Sequence, residues 1–273
     1  MAEHILSLSY GKDSIACLFA VEQLGWPLDR IVTADVWATD TIPADLPPMV
    51  AFKTYADAEI KRRWGIEVEH IYATDKWGGE KLTYLKYFYR ERNNRNFGRK
   101  IYGFPCLRYP WCNSRLKVQV LDKIGKINQR ENILLSNESE ETVQYLGIAA
   151  DETERIDRHK TKPGISLPLV EIGWDEAACR KICEENGLLS PIYTSATRGG
   201  CWFCHNQGVD QLRLLRKNYK DLWEMLLEWD IDSPVPFKPD GLTIRDFDRR
   251  FALEEQVLIP TDKTFRWSMV RKK

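Results

Sequence analysis

Short apolar runs alternate with amphipathic stretches through the first two-thirds of this chain, and that alternation narrows the fold more than any other feature. Segments 4–8, 30–37, 66–72 and 143–149 read as strands. Segments 14–24, 48–64, 113–128 and 174–186 read as helices, with Gly25 and Pro27, Gly65, and Gly187 as stops for the first, second and fourth. Strands separated by helices of this length form parallel βαβ units. The expected fold is therefore α/β: a doubly wound, mostly parallel sheet with helices on both faces. Such sheets bind ligands beyond the carboxyl ends of their strands.

The pattern changes after residue 190. Segment 190–206 is rich in Gly, Thr, Ser and Cys and reads as loop, and 209–229 reads as one long helix with Leu212, Leu215, Leu222, Leu226 and Trp229 at helical spacing. Four prolines follow between 230 and 261, around a shorter helix at 244–255. The expected organisation is an α/β domain over 1–189, with an insertion at about 79–105, and a mainly helical extension over 190–273. At 273 residues the chain is long enough for one large domain or one domain plus a small appendage.

Lys plus Arg and Asp plus Glu balance at 40 each, so any basic surface must be local. There is no run of about 18 apolar residues and no basic segment leading into an apolar one at the N-terminus. No membrane partner and a cytoplasmic location are expected. Seven cysteines in such a setting read as metal ligands, core residues or reactive thiols rather than as disulfides.

Between the first strand and the first helix lies Ser9-Tyr10-Gly11-Lys12-Asp13-Ser14. A turn there leaves backbone N–H groups at a helix N-terminus, whose partial positive charge favours an anion. It is not a Walker A loop, which needs four residues between two glycines ahead of Lys-Ser/Thr. The plain alternative is an ordinary strand-to-helix turn capped by Asp13.

Four cysteines make a second constellation. Cys106 and Cys112 fall within "PCLRYPWC", and Cys201 and Cys204 form a C-x-x-C in a Gly-rich loop. Two such pairs can complete a tetrahedral sulfur site for zinc or an iron–sulfur cluster. Trp202 and Phe203 would shield it from water. Cys17, Cys179 and Cys183 sit on expected helices and read as core; His205 adjoins the second pair.

The six-residue turn resembles the SGGKDS loop of the PP-loop, or adenine nucleotide alpha-hydrolase-like, superfamily, with Tyr10 in place of the first glycine of the pair. "CNSRLKVQVL" at 112–121 looks like the Cys-Cys-x-x-x-Lys-Val-x-Pro-Leu stretch of the phosphoadenosine phosphosulfate (PAPS) reductase family, matching at Cys112, Lys117, Val118 and Leu121 and departing at Asn113 and Val120. "LGIAADETER" at 146–155 is similar to the family's Gly-x-Arg-x-x-Glu-Ser-x-Arg stretch through Gly147, Glu152 and Arg155, with Ala149 where its first arginine stands. "GGCWFCHNQ" at 199–207 resembles the Cys-x-x-Cys element of iron–sulfur members, whose first pair is adjacent cysteines. The resemblance spans residues 4–207 in order.

It implies an adenine nucleotide, ATP or a relative, over Ser9, Tyr10, Gly11, Lys12, Asp13 and Ser14, with Asp40 and Gly147 contributing. It also implies Mg²⁺ bridging phosphates and a carboxylate such as Asp13. Lys12 and Arg155 are the expected phosphate or sulfate contacts, with Arg115 and Lys117 as further candidates, and Cys106, Cys112, Cys201 and Cys204 the expected ligands of a 4Fe-4S cluster or Zn²⁺. In the superfamily ATP is commonly split between its α and β phosphates, so the leading expectation is an enzyme that releases pyrophosphate and activates an acceptor, a nucleic acid or a sulfur compound. Two others stand beside it. One is a 4Fe-4S sulfonucleotide reductase, although reductases carry a nucleophilic cysteine near the C-terminus and the last cysteine here is Cys204. The other is a non-catalytic nucleotide-binding subunit.

Segment 84–104 interleaves six Lys or Arg with seven aromatics and one acid, Glu91. Cations with stacking rings suit single-stranded or looped nucleic acid. An insertion helix with buried rings and solvated cations has the same composition.

Overall fold

The computed structural model describes residues 2–75, 79–94, 98–105, 110–121, 142–191, 193 and 200–270, with backbone alone at 93, 94, 98 and 99. Five strands, β1 (Glu3–Ser7), β2 (Arg30–Asp35), β3 (Val68–Tyr72), β6 (Thr142–Tyr145) and β7 (Ile165–Ser166), form one parallel sheet in the order β3-β2-β1-β6-β7. The winding direction reverses at β1, which pairs with β2 on one side and β6 on the other.

Right-handed crossovers then dictate which face each helix covers. Helices α1 (Lys12–Leu24) and α2 (Pro47–Trp64) lie over the face carrying Leu6 and Ile31, packed through Ile15, Phe19, Phe52 and Ile60. Ile5 and Val32, next to them in sequence, point to the opposite face and meet Leu121. The period-2 alternation of β1 and β2 thus separates two helical layers, and the sheet is doubly wound as expected.

A second core lies beyond the carboxyl ends of β2 and β3, with Ile71 of β3 packed against it. Trp202, Phe203, Trp223, Trp229, Phe237 and Phe251 from the C-terminal part pack with Tyr84, Tyr87, Phe88, Phe104 and Trp111. Each such side chain contributes roughly 1.5–3 kcal/mol on burial, so residues 84–111 and the C-terminal part stabilise each other. The expected helix 209–229 is two helices, Val209–Asn218 and Lys220–Asp232, because Tyr219 leaves helical geometry at φ −134° and ψ 66°. No proline or glycine marks that break.

Asp230, buried to 4%, accepts hydrogen bonds from the Ile244 N–H at 2.9 Å and from Arg245 Nε at 2.8 Å. It thereby fixes the start of the helix Ile244–Glu255, which Thr243 and Asp246 close with a reciprocal capping box. Asp230→Ala leaves the Ile244 N–H buried without its acceptor, and chemical denaturation is expected to show a loss of about 1–3 kcal/mol.

Candidate functional site

The chain leaves β1 with the Leu8 N–H still bonded to the Val32 carbonyl at 2.8 Å, then turns through Ser9, Tyr10 and Gly11 into α1. Tyr10 has φ 56°, a left-handed conformation that costs a side-chain-bearing residue about 1–2 kcal/mol. Its ring is fully buried and its hydroxyl donates to Asp57 of α2 and approaches His70 Nε2 of β3 at 3.2 Å. His70 is held in turn, Nδ1 to Asp35 at 2.7 Å and Nε2 to Asp57 at 3.0 Å. Burial, followed by Asp57, pushes the phenol far above its ordinary pKa, so it remains a donor. The tyrosine that stands in place of a glycine is thus an anchor: its side chain goes into the core, and its backbone makes the turn.

The turn is also bonded to itself. Ser14 Oγ donates to the Gly11 carbonyl at 3.0 Å and accepts from the Ser9 N–H at 3.1 Å. The Lys12 N–H donates to the Tyr193 hydroxyl at 3.1 Å. Gly11, not Asp13, is the N-cap of α1, so the capping role considered for Asp13 is corrected. After β6 the chain passes under this turn at Gly147, where a Cβ would lie 2.7 Å from both the Asp13 carbonyl oxygen and Ser14 Cα. That approach explains why the strand expected over 143–149 stops at Tyr145.

Above the turn, at the carboxyl ends of β1 and β2 and at the point where the winding reverses, is a cavity of about 810 Å³. It is lined by Ser9, Tyr10, Gly11, Lys12, Asp13 and Arg155 among the expected residues. Lys12 Nζ lies 2.6 Å from Asp13 and 3.2 Å from Glu176. Burial would depress its pKa, yet these carboxylates outweigh burial and raise it. Burial raises the pKa of Asp13, against the pull of Lys12. Arg155 is paired with Glu152 at 2.7 Å.

Two further lysines converge on the cavity. Lys53, not singled out in the sequence, reaches between Asp35 at 3.0 Å and Asp45 at 2.7 Å. Only its position on α2, 18 residues beyond Asp35, could have signalled it. Lys117 stands at the cavity wall with its charge favoured first by Cys201 and then by Asp45. Asp40 does not line this cavity; it is exposed and paired with Lys86 at 2.9 Å. It lies in the loop before α2, and Asp45, five residues later, occupies the wall instead. Arg115 is exposed and bonded to Gln119 at 3.1 Å, also outside the cavity.

Cys112, Cys201 and Cys204 line a neighbouring cavity of about 390 Å³. Val36, Lys117, Gly200 and Cys201 border both cavities, so the sulfur site and the cationic site share a wall. Cys112 follows Trp111 at the start of a helix that becomes a π-helix over Ser114–Val118 and regains α-geometry to residue 121, replacing the α-helix expected over 113–128, whose remainder lies outside the described residues. Cys201 and Cys204 sit in a turn closed by the Cys204 N–H on the Cys201 carbonyl at 3.0 Å. Burial pushes the Cys112 thiol up to about 12 and the Cys201 thiol up to about 11. Cys106 lies outside the described residues. Among the described residues no group of three or more His, Cys, Asp or Glu side chains is placed to hold a metal ion. Cys17, Cys179 and Cys183 belong to the sheet core, with Cys183 Sγ donating to the Lys12 carbonyl at 3.2 Å.

Segment 84–104 holds a short helix, Tyr84–Phe88, and an antiparallel hairpin of β4 (Glu91–Asn94) and β5 (Gly98–Ile101). Tyr84, Tyr87, Phe88 and Phe104 are buried, so these four rings are not stacking surfaces for bases. Tyr89 is exposed, as are Arg90, Arg92 and Lys100.

Among the described residues no helix is long and apolar enough to cross a membrane. No protein-family model matches the sequence, and no curated protein matches it. Among solved structures, the U34-tRNA thiolase NcsA from Methanococcus maripaludis with its 4Fe-4S cluster is similar over 98% of this chain and 80% of that one, at 12% identity and a TM-score of 0.37.

Proposed function

We propose that this chain is a PP-loop enzyme of the PAPS reductase-like branch that binds an adenine nucleotide over Ser9–Ser14 and cleaves ATP to AMP and pyrophosphate, activating an acceptor. The observation that carries this reading is the convergence of Lys12, Lys53, Lys117 and Arg155 on one cavity above a helix N-terminus, at the reversal of a doubly wound sheet. Lys12 and the amides of the turn would take up negative charge as it shifts toward the leaving pyrophosphate. An entering phosphate would displace the Tyr193 hydroxyl from the Lys12 N–H and loosen Lys12 from Asp13, leaving that carboxylate to hold Mg²⁺, which supplies further charge neutralisation. Arg155 would turn from Glu152 to the ligand. The acceptor would be a sulfur compound or a nucleic acid, with the exposed Arg90, Arg92 and Lys100 as candidate phosphate contacts for the latter.

The donor set at the second cavity, three cysteines lining it, suits a metal group by its chemistry. Cys112, Cys201 and Cys204, with Cys106, would hold a 4Fe-4S cluster or Zn²⁺, and their buried thiols would release protons on binding. Such a group supplies either a structural clamp on the 200–208 loop or a sulfur-rich centre beside the nucleotide. Protein purified without oxygen is expected to contain about four irons and four sulfides per chain or about one zinc, and Cys201→Ser is expected to lose most of that metal. Unchanged metal content in the variant would remove Cys201 from the ligand set.

The shared wall of the two cavities favours a second reading, sulfonucleotide reduction. It predicts sulfite release from an adenylyl sulfate with an external thiol, whereas the first predicts pyrophosphate release from ATP. Assaying both on the same preparation separates them.

A further inference from the structure

Tyr84 is buried to 1%, and its hydroxyl has no hydrogen-bond partner among the described residues. It lines the cavity of Cys112, Cys201 and Cys204. A buried hydroxyl without a partner keeps its full desolvation penalty, so such a group is retained where something satisfies it. The ring has little freedom to look elsewhere. Its centroid lies 4.1 Å from Phe203, 4.9 Å from Trp111 and 5.4 Å from Trp229, and the Tyr84 N–H is tied to the Trp37 carbonyl at 2.8 Å. Thr83 caps the helix on which Tyr84 is the first residue, so backbone and ring are both set.

We propose that the Tyr84 hydroxyl donates a hydrogen bond to a thiolate or sulfide sulfur of the metal group held by the cysteines, making Tyr84 a positioning residue for that group. This rests on the four-cysteine reading above. A phenol hydroxyl has one proton to donate, and the three cysteines share its cavity. A thiolate is the acceptor such a donor lacks, and partners that bond to metal-bound ligands are worth about 10–100-fold in metal affinity.

The test compares wild type, Tyr84→Phe and Tyr87→Phe, all purified without oxygen. Tyr87 is the control because it is a buried tyrosine of the same aromatic core that does not line the cysteine cavity. Metal content is measured first, then the rate of metal transfer to EDTA, and then thermal unfolding of the metal-free forms. The expected result is metal transfer roughly 10–100-fold faster in Tyr84→Phe and within about twofold of wild type in Tyr87→Phe. Metal-free Tyr84→Phe should unfold no earlier than metal-free wild type, because only an unsatisfied hydroxyl has been removed. A purely structural role for the hydroxyl would instead lower the unfolding temperature of the metal-free variant, and that result overturns the proposal. Wild-type metal content with unchanged transfer in Tyr84→Phe overturns it while leaving the cysteine site intact. Wild type without iron or zinc overturns both.

Discussion

Lys12→Ala is expected to slow pyrophosphate release from ATP by about 10²–10³-fold, the usual consequence of deleting a preorganised cation or donor from a site where charge develops. The argument is local. Lys12 Nζ lies against Asp13 and Glu176, and with Glu152 and Asp45 these make four carboxylates on the wall of the cavity. Without Lys12 the nearest pair faces an entering polyphosphate uncompensated, so nucleotide affinity should fall together with rate. The fold should be unaffected, because Lys12 is at the first turn of α1 and its ion pairs border the cavity. Folded Lys12→Ala with the wild-type rate of pyrophosphate release would show that this lysine is not part of the chemistry.

The second large effect belongs to a residue with no functional group. Gly147→Ala places a methyl 2.7 Å from the Asp13 carbonyl oxygen and from Ser14 Cα, both backbone, so no side chain can swing away to make room. Overpacking of this kind costs about 1–3 kcal/mol. The first turn of α1 must move, and with it Lys12. A displacement of about 1 Å at a catalytic group costs about 10²-fold in rate. Gly147→Ala should therefore unfold at lower temperature and also lose ATP-dependent activity, whereas Asp230→Ala, remote from the cavity, should lose stability alone. Activity retained in folded Gly147→Ala would show that the turn tolerates displacement.

The parts of the fold that were legible in the sequence are those governed by short-range periodicity. β1, the turn and α1 follow from an apolar run, a Gly-Lys pair and a second, mostly apolar stretch that stops at Gly25. Alternation in β1 and β2 assigns Leu6 and Ile31 to one face and Ile5 and Val32 to the other. Elements that depend on distant partners were not legible. The π-helical turn at Ser114–Val118 shifts the hydrogen-bond spacing without any composition signal. The strands Glu91–Asn94 and Gly98–Ile101 carry one apolar residue between them, Ile101, and so have no alternation to read. Tyr10 looks like an obstacle in a glycine position until Asp57 and His70, 47 and 60 residues away, are seen to hold its hydroxyl.

The candidate site divides in the same way. Lys12, Asp13 and Arg155 were marked by motif and meet at one cavity, while Asp40 was marked by its place after a strand and pairs with Lys86 outside it. Lys53 carried no motif and enters through the geometry of α2, held between carboxylates of β2 and the β2–α2 loop. Tyr84 was part of a basic-aromatic pattern, and Lys117 was marked in the same stretch as Cys112. Only the fold sets Tyr84 beside the cysteines and brings Lys117 to Cys201.

The most direct measurement is equilibrium dialysis of ATP with the metal-loaded protein in the presence of Mg²⁺, carried out in parallel on Lys12→Ala. Saturable binding of about one ATP per chain, with affinity lowered tenfold or more by the substitution, is the result predicted for a phosphate site at the N-terminus of α1. Wild type that takes up no ATP at millimolar concentration, or binds it equally well without Lys12, would contradict the assignment of this cavity.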